Sequence, residues 1–376
     1  MIGQNNNLHL VLFFTHGVSL RTWVQNGSLE REIALYLRLQ EKGVKVCFVT
    51  YGGRQELDYR ETLHGIEILC NRWKLSPLWY ERLIPILHAN ALRLASVIKT
   101  NQINGADVAL RAAQIWHKPL IARCGYLWSE LADLEGRQEE SKLAGQIEKK
   151  VFSEAKRVVV TTPIMKEYVI KHYVLAPEHV LVIPNYVLTD LFLPMAEKPQ
   201  AKRICFIGRL SEEKNLPALF QACAGLEVDL VLIGEGPLRA SLQELAKKLG
   251  IQVRMPGNLV HNLLPDVIQQ SAIFALVSTH EGHPKALLEA MSCEAAVLGA
   301  DSPGIREQIV HGETGWLCGT DVQSIRAGIQ HLLGEPELRR RLGANARRFI
   351  VQNYLLDKVV GMEYNLLNEV VREENP

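Results

Sequence analysis

The chain has 376 residues, of which 47% are hydrophobic, and a formal net charge of +1. This length suits two domains of ordinary size, and the composition is that of a globular protein. The near-neutral charge, without a nucleic-acid motif, argues against DNA or RNA as a partner. No stretch approaches the roughly 18 consecutive apolar residues of a transmembrane helix. Residues 1–7 lack the charged and apolar regions of a signal peptide, so we expect a cytoplasmic protein.

In the first half of the chain, predicted strands alternate with predicted helices. An apolar strand is predicted at 8–14, then a loop through Trp23 to Ser28, a helix from Leu29 to about Lys42, and a strand at 44–50. Alternation of this kind favours a parallel sheet. Further strands are predicted at 66–69, 120–123, 158–161 and 180–183.

The strand pattern stops at Pro184, and a polar stretch extends to Lys202, which predicts a domain boundary. We expect an N-terminal domain at 1–184, a linker at 185–202 and a C-terminal domain at 203–354. A last helix is predicted from about Leu355 to Val371, within a C-terminal segment at 355–376.

A pair of cations follows the first predicted strand of the second half, at 204–207. Gly208 permits a tight exit from this strand, and Arg209 and Lys214 come directly after it. Ligands of parallel sheets bind at the carboxyl ends of the strands, where both cations can reach an anion. The sequence therefore predicts an anion site here.

The next predicted strand, 228–233, ends in Gly234 and Gly236, which superficially suggests a dinucleotide-binding turn. The dinucleotide fingerprint needs a third glycine for close packing of helix on strand, and Arg239 occupies that position. A nicotinamide-dependent dehydrogenase is therefore a poor interpretation.

The most informative segment contains Glu281 and Glu289, with seven residues between them, across a predicted helix start at Pro284. Eight positions at about 1.5 Å rise would place the two carboxylates roughly 12 Å apart, nearly on one helix face. Between them, the backbone N–H groups of the helix start and the cation of Lys285 offer a seat for an anion. This arrangement suits a ligand that contains a sugar, a diphosphate and a ribose.

With these motifs in this order, the chain resembles the retaining glycosyltransferases of family 4. The resemblance implies the GT-B fold, an α/β architecture with two Rossmann-like domains facing a central cleft. It implies further that the C-terminal helix, within 355–376, packs back on the N-terminal domain. It also implies that Arg209 and Lys214 hold the donor diphosphate, Glu281 the sugar hydroxyls and Glu289 the ribose. The catalytic set is then Arg209, Lys214 and Glu281. The donor set is Gly27, Gly208, Gly234, Gly282, His283, Pro284, Lys285, Ala286 and Glu289.

Two departures from the family pattern concern Glu294 and the first domain. Relatives usually have Gly where Glu294 ends a helix, and a left-handed Glu there would cost on the order of 1 kcal/mol. The strand-end histidine that many relatives carry near 123–128 is absent. His16 and Arg123 are therefore the acceptor-side candidates.

The resemblance implies a hexosyltransferase that moves a hexose from a nucleotide-diphosphate sugar to a glycan or lipid-linked acceptor in surface polysaccharide synthesis. No Asp-x-Asp motif or metal-ligand spacing occurs, so we expect neither metal nor cofactor. A nucleotide-sugar epimerase, a sugar phosphorylase and an inactive sugar-nucleotide-binding partner protein are the alternatives.

Residues 71–87 interleave aromatic residues and cations, which favours contact with anionic lipid head groups. An ordinary buried loop and helix start explains the pattern equally well. The protein is thus expected either free in the cytoplasm or peripheral at the inner face of the membrane.

Overall fold

The computed structural model describes residues 8–195 and 202–374. These residues form two compact units. The first unit comprises 8–25, 29–184 and 359–374, and the second comprises 26–28, 185–195 and 202–358. Part of the predicted linker, 196–201, lies outside the described residues, as do 1–7 and 375–376.

The first unit contains a seven-stranded sheet in which every pairing is parallel, with the order β3-β2-β1-β4-β5-β6-β7. The interior strand β1 is buried along its whole length, as expected for a parallel sheet that is covered on both faces. The strands are β1 (His9–Phe13), β2 (Lys45–Gly53), β3 (Glu67–Asn71), β4 (Val97–Thr100), β5 (Leu120–Cys124), β6 (Arg157–Val160) and β7 (Val180–Val182).

Eight helices of the first unit lie between these strands in the described residues. They are α1 (Leu20–Gln25), α2 (Leu29–Glu41), α3 (Pro77–Leu87), α4 (Ala89–Leu94), α5 (Ala106–Trp116), α6 (Trp128–Leu134), α7 (Gln138–Glu154) and α8 (Pro163–Tyr173). The prediction of a loop through Trp23 is wrong, because α1 occupies that stretch. The buried carboxylate of Glu56 accepts hydrogen bonds from the backbone N–H groups of Leu20 (2.7 Å) and Arg21 (3.3 Å) and so satisfies the first turn of α1.

The second unit contains a six-stranded parallel sheet with the order β10-β9-β8-β11-β12-β13. Its strands are β8 (Arg203–Ile207), β9 (Asp229–Ile233), β10 (Val253–Gly257), β11 (Ile273–Leu276), β12 (Val297–Ala300) and β13 (Trp316–Cys318). Its helices are α9 (Leu216–Cys223), α10 (Arg239–Leu249), α11 (Leu264–Gln269), α12 (Lys285–Ser292), α13 (Val322–Gly334) and α14 (Pro336–Asn353). Each unit has its own apolar core.

The last helix, α15 (Leu356–Glu374), leaves the second unit at its start, and its residues from Val359 onward belong to the first unit. An ion pair between Lys99 on β4 and Glu363 on α15 holds it there, with side chains only 1% and 2% exposed. Burial lowers the pKa of Lys99, and the nearby Glu363 carboxylate opposes that shift. Arg157 on β6 adds a second ion pair, to Glu369.

Glu294 follows α12 in the left-handed conformation, with φ of 55°, as the resemblance to the family predicts. Because a left-handed residue with a Cβ is strained and Gly is not, Glu294→Gly should raise the free energy of unfolding by about 1 kcal/mol. Thermal unfolding of the two proteins would measure the gain. Glu244→Gly in the middle of α10 is the matched control and should destabilise by about 1 kcal/mol, since a helical Glu has no such strain to lose. A lower melting temperature for Glu294→Gly would contradict the strain argument.

Candidate donor site in the second unit

The candidate site lies at the carboxyl ends of β8 and β11, which are neighbours in the middle of the second sheet. The segment after β8 carries Arg209 and Lys214, and the segment after β11 carries Ser278 and Glu281. Parallel strands place their carboxyl ends at one edge of the sheet, so Lys214 and Glu281, which are 67 positions apart in sequence, meet there.

The loops after β8 and β9 approach each other so closely that Gly234 has no room for a side chain. A Cβ on Gly234 would lie 2.0 Å from the carbonyl oxygen of Gly208, and its φ of +134° also favours glycine. The two backbones are joined by a hydrogen bond from the N–H of Leu210 to the carbonyl of Glu235, 3.0 Å long. Gly234 thus shapes the edge of the site by its lack of a side chain, which lets its backbone approach that of Gly208.

Lys214 and Glu281 form an ion pair in which Nζ donates to Oε1 over 2.8 Å. Their side chains are 16% and 11% exposed, so the pair is largely shielded from water but reachable from the sheet edge. Lys214 also lies 3.8 Å from Glu213. A cation held in place by two carboxylates has little freedom to move when an anionic ligand arrives.

Two buried serines that sequence reasoning missed fix the position of Glu281. The Ser278 hydroxyl donates to Glu281 Oε1 over 2.7 Å, and the Ser302 hydroxyl donates to the carbonyl of Ser278 over 2.7 Å. From the other side, the N–H of Glu281 donates to the carbonyl of Pro303 over 2.9 Å. The sequence feature that could have identified Ser278 is its position just after the buried strand β11, which matches the position of Arg209 just after β8.

Gly304 completes this support, because a Cβ there would lie 2.1 Å from the carbonyl oxygen of Glu281. Its φ of +82° lies in the region that disfavours other residues. The loop after β12 therefore packs directly on the backbone of the Glu281 loop.

The expectation that Glu281 and Glu289 share one helix face is wrong. The helix α12 begins at Lys285, and Pro284, its N-cap, has an extended backbone with ψ of 104°. Glu281 therefore lies in the loop before the helix, so the spacing of 1.5 Å per residue does not apply between the two acids.

The Glu289 carboxylate is buried, and its Oε1 lies 2.8 Å from Nε2 of His261, with both side chains 1% exposed. The ring of His261 lies against Phe192, with centroids 4.9 Å apart. Glu289 is thus held by His261, whereas Lys214 bonds to the other acid.

Both ring nitrogens of His283 are occupied inside the protein. Nδ1 accepts the backbone N–H of Asn185 over 3.1 Å, which leaves the proton on Nε2 to be donated to Gln308 Oε1, 3.1 Å away. The Asn185 side chain also donates to the His283 carbonyl over 2.7 Å. His283 therefore anchors the loop before α12 by its side chain, and its ring is not presented to a ligand.

The remaining predicted catalytic and donor-binding residues lie after β8 and around the start of α12, except for Gly27, which lies much earlier in the chain. Arg209 is exposed just after β8, and Gly282, Lys285 and Ala286 are partly exposed at the start of α12. The N-cap residue of α12 makes no side-chain hydrogen bond to the first turn. Gly27 lies between α1 and α2, with φ of +68°.

The acceptor-side candidates lie in the first unit. His16 follows β1, and its Nε2 lies 2.7 Å from Oε1 of Glu81 on α3. The ring of Tyr51 contacts His16 edge-on, 5.5 Å away, and burial together with the charge of Glu81 raises the pKa of its hydroxyl. Arg123 lies on β5, two strands from β1, where it donates to the carbonyl of Asn101 over 3.2 Å. Glu81 and Tyr51 were not singled out from the sequence.

In the described part of the chain, no group of three or more His, Cys, Asp or Glu side chains could hold a metal ion. Within the same residues, no helix is long and apolar enough to cross a bilayer.

Comparison with known families accounts for both units. The family described as Glycosyltransferase Family 4 matches residues 33–191, and that described as Glycosyl transferases group 1 matches 194–349. The chain belongs to the family 4 glycosyltransferases. The two parallel sheets with their helices confirm the predicted GT-B fold class.

Individual relatives of this glycosyltransferase are distant. It is 27% identical over 227 residues to N-acetyl-alpha-D-glucosaminyl L-malate synthase of Bacillus anthracis, which covers 54% of this chain and 60% of that protein. It is 24% identical over 335 residues to the phosphatidylinositol N-acetylglucosaminyltransferase GPI3 subunit of Saccharomyces cerevisiae, covering 84% and 66%. The chain thus spans less than two thirds of the length of these relatives.

Among solved structures, Anabaena HepE in complex with UDP and glucose is similar, with a TM-score of 0.77 and 18% identity. The match covers 96% of this chain and all of that one. At this identity, the likeness supports the fold alone.

Proposed function

We propose that this glycosyltransferase moves a hexose from a nucleotide-diphosphate sugar, with retention of configuration, to a glycan or lipid-linked acceptor in surface polysaccharide or lipopolysaccharide-type synthesis. The observation that carries the proposal is the shielded ion pair of Lys214 and Glu281 at the sheet edge. It joins a cation suited to a diphosphate and a carboxylate suited to sugar hydroxyls at one point. One relative is named as a subunit of a phosphatidylinositol N-acetylglucosaminyltransferase, and a sugar transferase that acts on a lipid is consistent with this substrate class.

In the proposed reaction, the bond from the anomeric carbon to the diphosphate oxygen breaks and the negative charge on the leaving group increases. Arg209, Lys214 and the start of α12 would stabilise that charge. The acceptor oxygen forms the new bond to the anomeric carbon, and its proton passes to the departing phosphate. Glu281 would hold the sugar hydroxyls, and no metal or cofactor takes part.

On the acceptor side, we propose that His16, paired with Glu81, binds an acceptor hydroxyl. Arg123 would meet an anionic group of the acceptor. We place the protein in the cytoplasm, and at the inner face of the membrane when its acceptor is lipid-linked.

A donor screen tests this function. UDP, GDP, ADP and their hexose derivatives would be compared by thermal shift, since a ligand at a hundred times its dissociation constant adds about 2.7 kcal/mol of stability. The stabilising donor is then incubated with and without acceptor glycans, and the anomeric configuration of the product is read by NMR. EDTA should leave the rate unchanged.

The alternatives give different results in the same screen. An epimerase would convert the donor without an acceptor, and a phosphorylase would need inorganic phosphate. A binding protein without activity would show the thermal shift and no turnover. Any of these outcomes would overturn the transferase assignment for this chain.

The two motif acids should behave differently if their proposed ligands are right. Glu281→Gln should lower kcat by roughly a hundredfold with little change in nucleotide affinity, because it loses a charge at the reacting sugar. Glu289→Gln should weaken binding of the free nucleotide, whose ribose we assign to it. Calorimetric titration with the nucleotide found in the screen, beside steady-state kinetics, separates the two effects. Equal loss of nucleotide affinity in both variants would show that the roles are wrongly assigned.

A further inference from the structure

The helix α3 and the loop before it expose an unusual set of large apolar side chains. Trp73 is 46% exposed, Trp79 55%, Leu78 57% and Ile86 69%. Trp79 and Ile86 lie seven residues apart, about two turns, and so share the outer face of α3. Large apolar side chains grouped on a surface mark an interaction site far more often than single ones do. We call this group, together with Lys74 and Arg82, the α3 patch.

The inner face of α3 is already occupied, so the α3 patch is not a core surface turned outward. Tyr80 and Ile84 are buried, and the Tyr80 hydroxyl donates to the carbonyl of Thr50 over 3.1 Å. The indole of Trp116 on α5 donates to the carbonyl of Pro85 over 2.9 Å. The helix is thus fixed on the first unit through one side and presents the other to solvent.

The α3 patch carries positive charge among its apolar residues. The guanidinium of Arg82 lies 5.7 Å from the ring centroid of Trp79, and Lys74 is exposed beside Trp73. The one acidic residue of α3, Glu81, is engaged with His16. The charge left on the outer face therefore complements an anionic surface.

We infer that the α3 patch docks on the surface of an anionic lipid bilayer. Trp favours the boundary between hydrocarbon and water, and Lys and Arg near that boundary gain from anionic head groups. A peripheral contact of this kind needs an apolar face with flanking cations and no membrane-spanning helix.

This contact deepens the proposed function, because Glu81 on the same helix pairs with His16 at the carboxyl edge of the first sheet. A bilayer against the α3 patch would bring the head of a lipid-linked acceptor to the edge where the acceptor side is proposed. The choice of a lipid-linked acceptor rests on the proposed function, whereas the bilayer contact does not.

Sedimentation with vesicles tests the contact without any substrate. Wild-type protein should sediment with vesicles of equal parts phosphatidylcholine and phosphatidylglycerol at about 0.05 M salt, and much less at about 0.5 M, where charge is screened within a few ångströms. Vesicles of phosphatidylcholine alone should bind it more weakly.

Two pairs of substitutions separate the apolar and the charged parts of the α3 patch. Trp73→Ala with Trp79→Ala should lower the partition coefficient on anionic vesicles at least about tenfold, and Lys74→Gln with Arg82→Gln should do so by a similar factor. The matched controls are Leu134→Ala with Leu143→Ala, which are exposed apolar residues elsewhere on the first unit, and Lys247→Gln with Lys248→Gln on α10. Circular dichroism of each variant checks that it is folded.

The inference is overturned if folded wild-type protein does not bind anionic vesicles, or if the α3 variants bind as the controls do. The first outcome would leave the α3 patch as a surface for another protein. If vesicles bind through the α3 patch but no sugar is transferred, the contact stands and the proposed function fails. If transfer to a soluble acceptor occurs without vesicle binding, the function stands and the contact fails.

Discussion

Replacing Lys214 by Ala should lower the rate of sugar transfer by about 10²–10³-fold while the protein stays folded. The reason is twofold. The variant lacks the cation that we assign to the departing diphosphate, and Glu281 loses the partner 2.8 Å away that neutralises it. A carboxylate left unpaired at this site would also repel the donor phosphates. Steady-state kinetics with the donor found in the screen would measure the loss.

Two controls make this result specific. Lys247→Ala on the exposed face of α10 removes a charge of the same sign from the same unit and should leave the rate unchanged. Lys214→Arg keeps the charge and should retain part of the activity. Wild-type turnover in a folded Lys214→Ala protein would remove this residue from the proposed mechanism.

Replacing Glu363 by Ala should destabilise the protein by about 3–5 kcal/mol, because it leaves the buried ammonium of Lys99 without its partner. The expected loss is of the same order as the whole stability of many domains. Trp fluorescence suits the measurement, since five of the six tryptophans belong to the first unit. Denaturant unfolding followed at the Trp emission would give the change.

The matched control lies on the same helix. Glu369→Ala removes a half-exposed carboxylate that pairs with Arg157 and should cost less than about 1 kcal/mol. The double variant Lys99→Met with Glu363→Leu removes both charges and should recover most of the lost stability, because an apolar pair fills the same space without burying a charge. A loss below about 1 kcal/mol in Glu363→Ala would show that the pair does not hold α15 in place.

The sequence by itself missed β4, which carries Lys99, but predicted the other six strands of the first sheet, because an apolar strand such as β1 is buried on both faces and shows this as a mostly apolar run. It also located Arg209 and Lys214, since strand ends can be read from where such runs stop. The left-handed conformation of Glu294 was expected from the family resemblance, because relatives usually have Gly at this helix end.

The partners of the site residues were decided by tertiary structure alone. No local pattern indicates that Lys214 pairs with Glu281 or that His261 takes up Glu289, because each contact joins segments that only the folded chain brings together. The same holds for α1, whose first turn depends on Glu56 from 36 residues away, and for Lys99, whose charge is balanced 264 residues later by Glu363. The periodicity of apolar residues along the chain indicates which residues are buried. The partner of a buried charge depends instead on which strands and helices become neighbours when the chain folds.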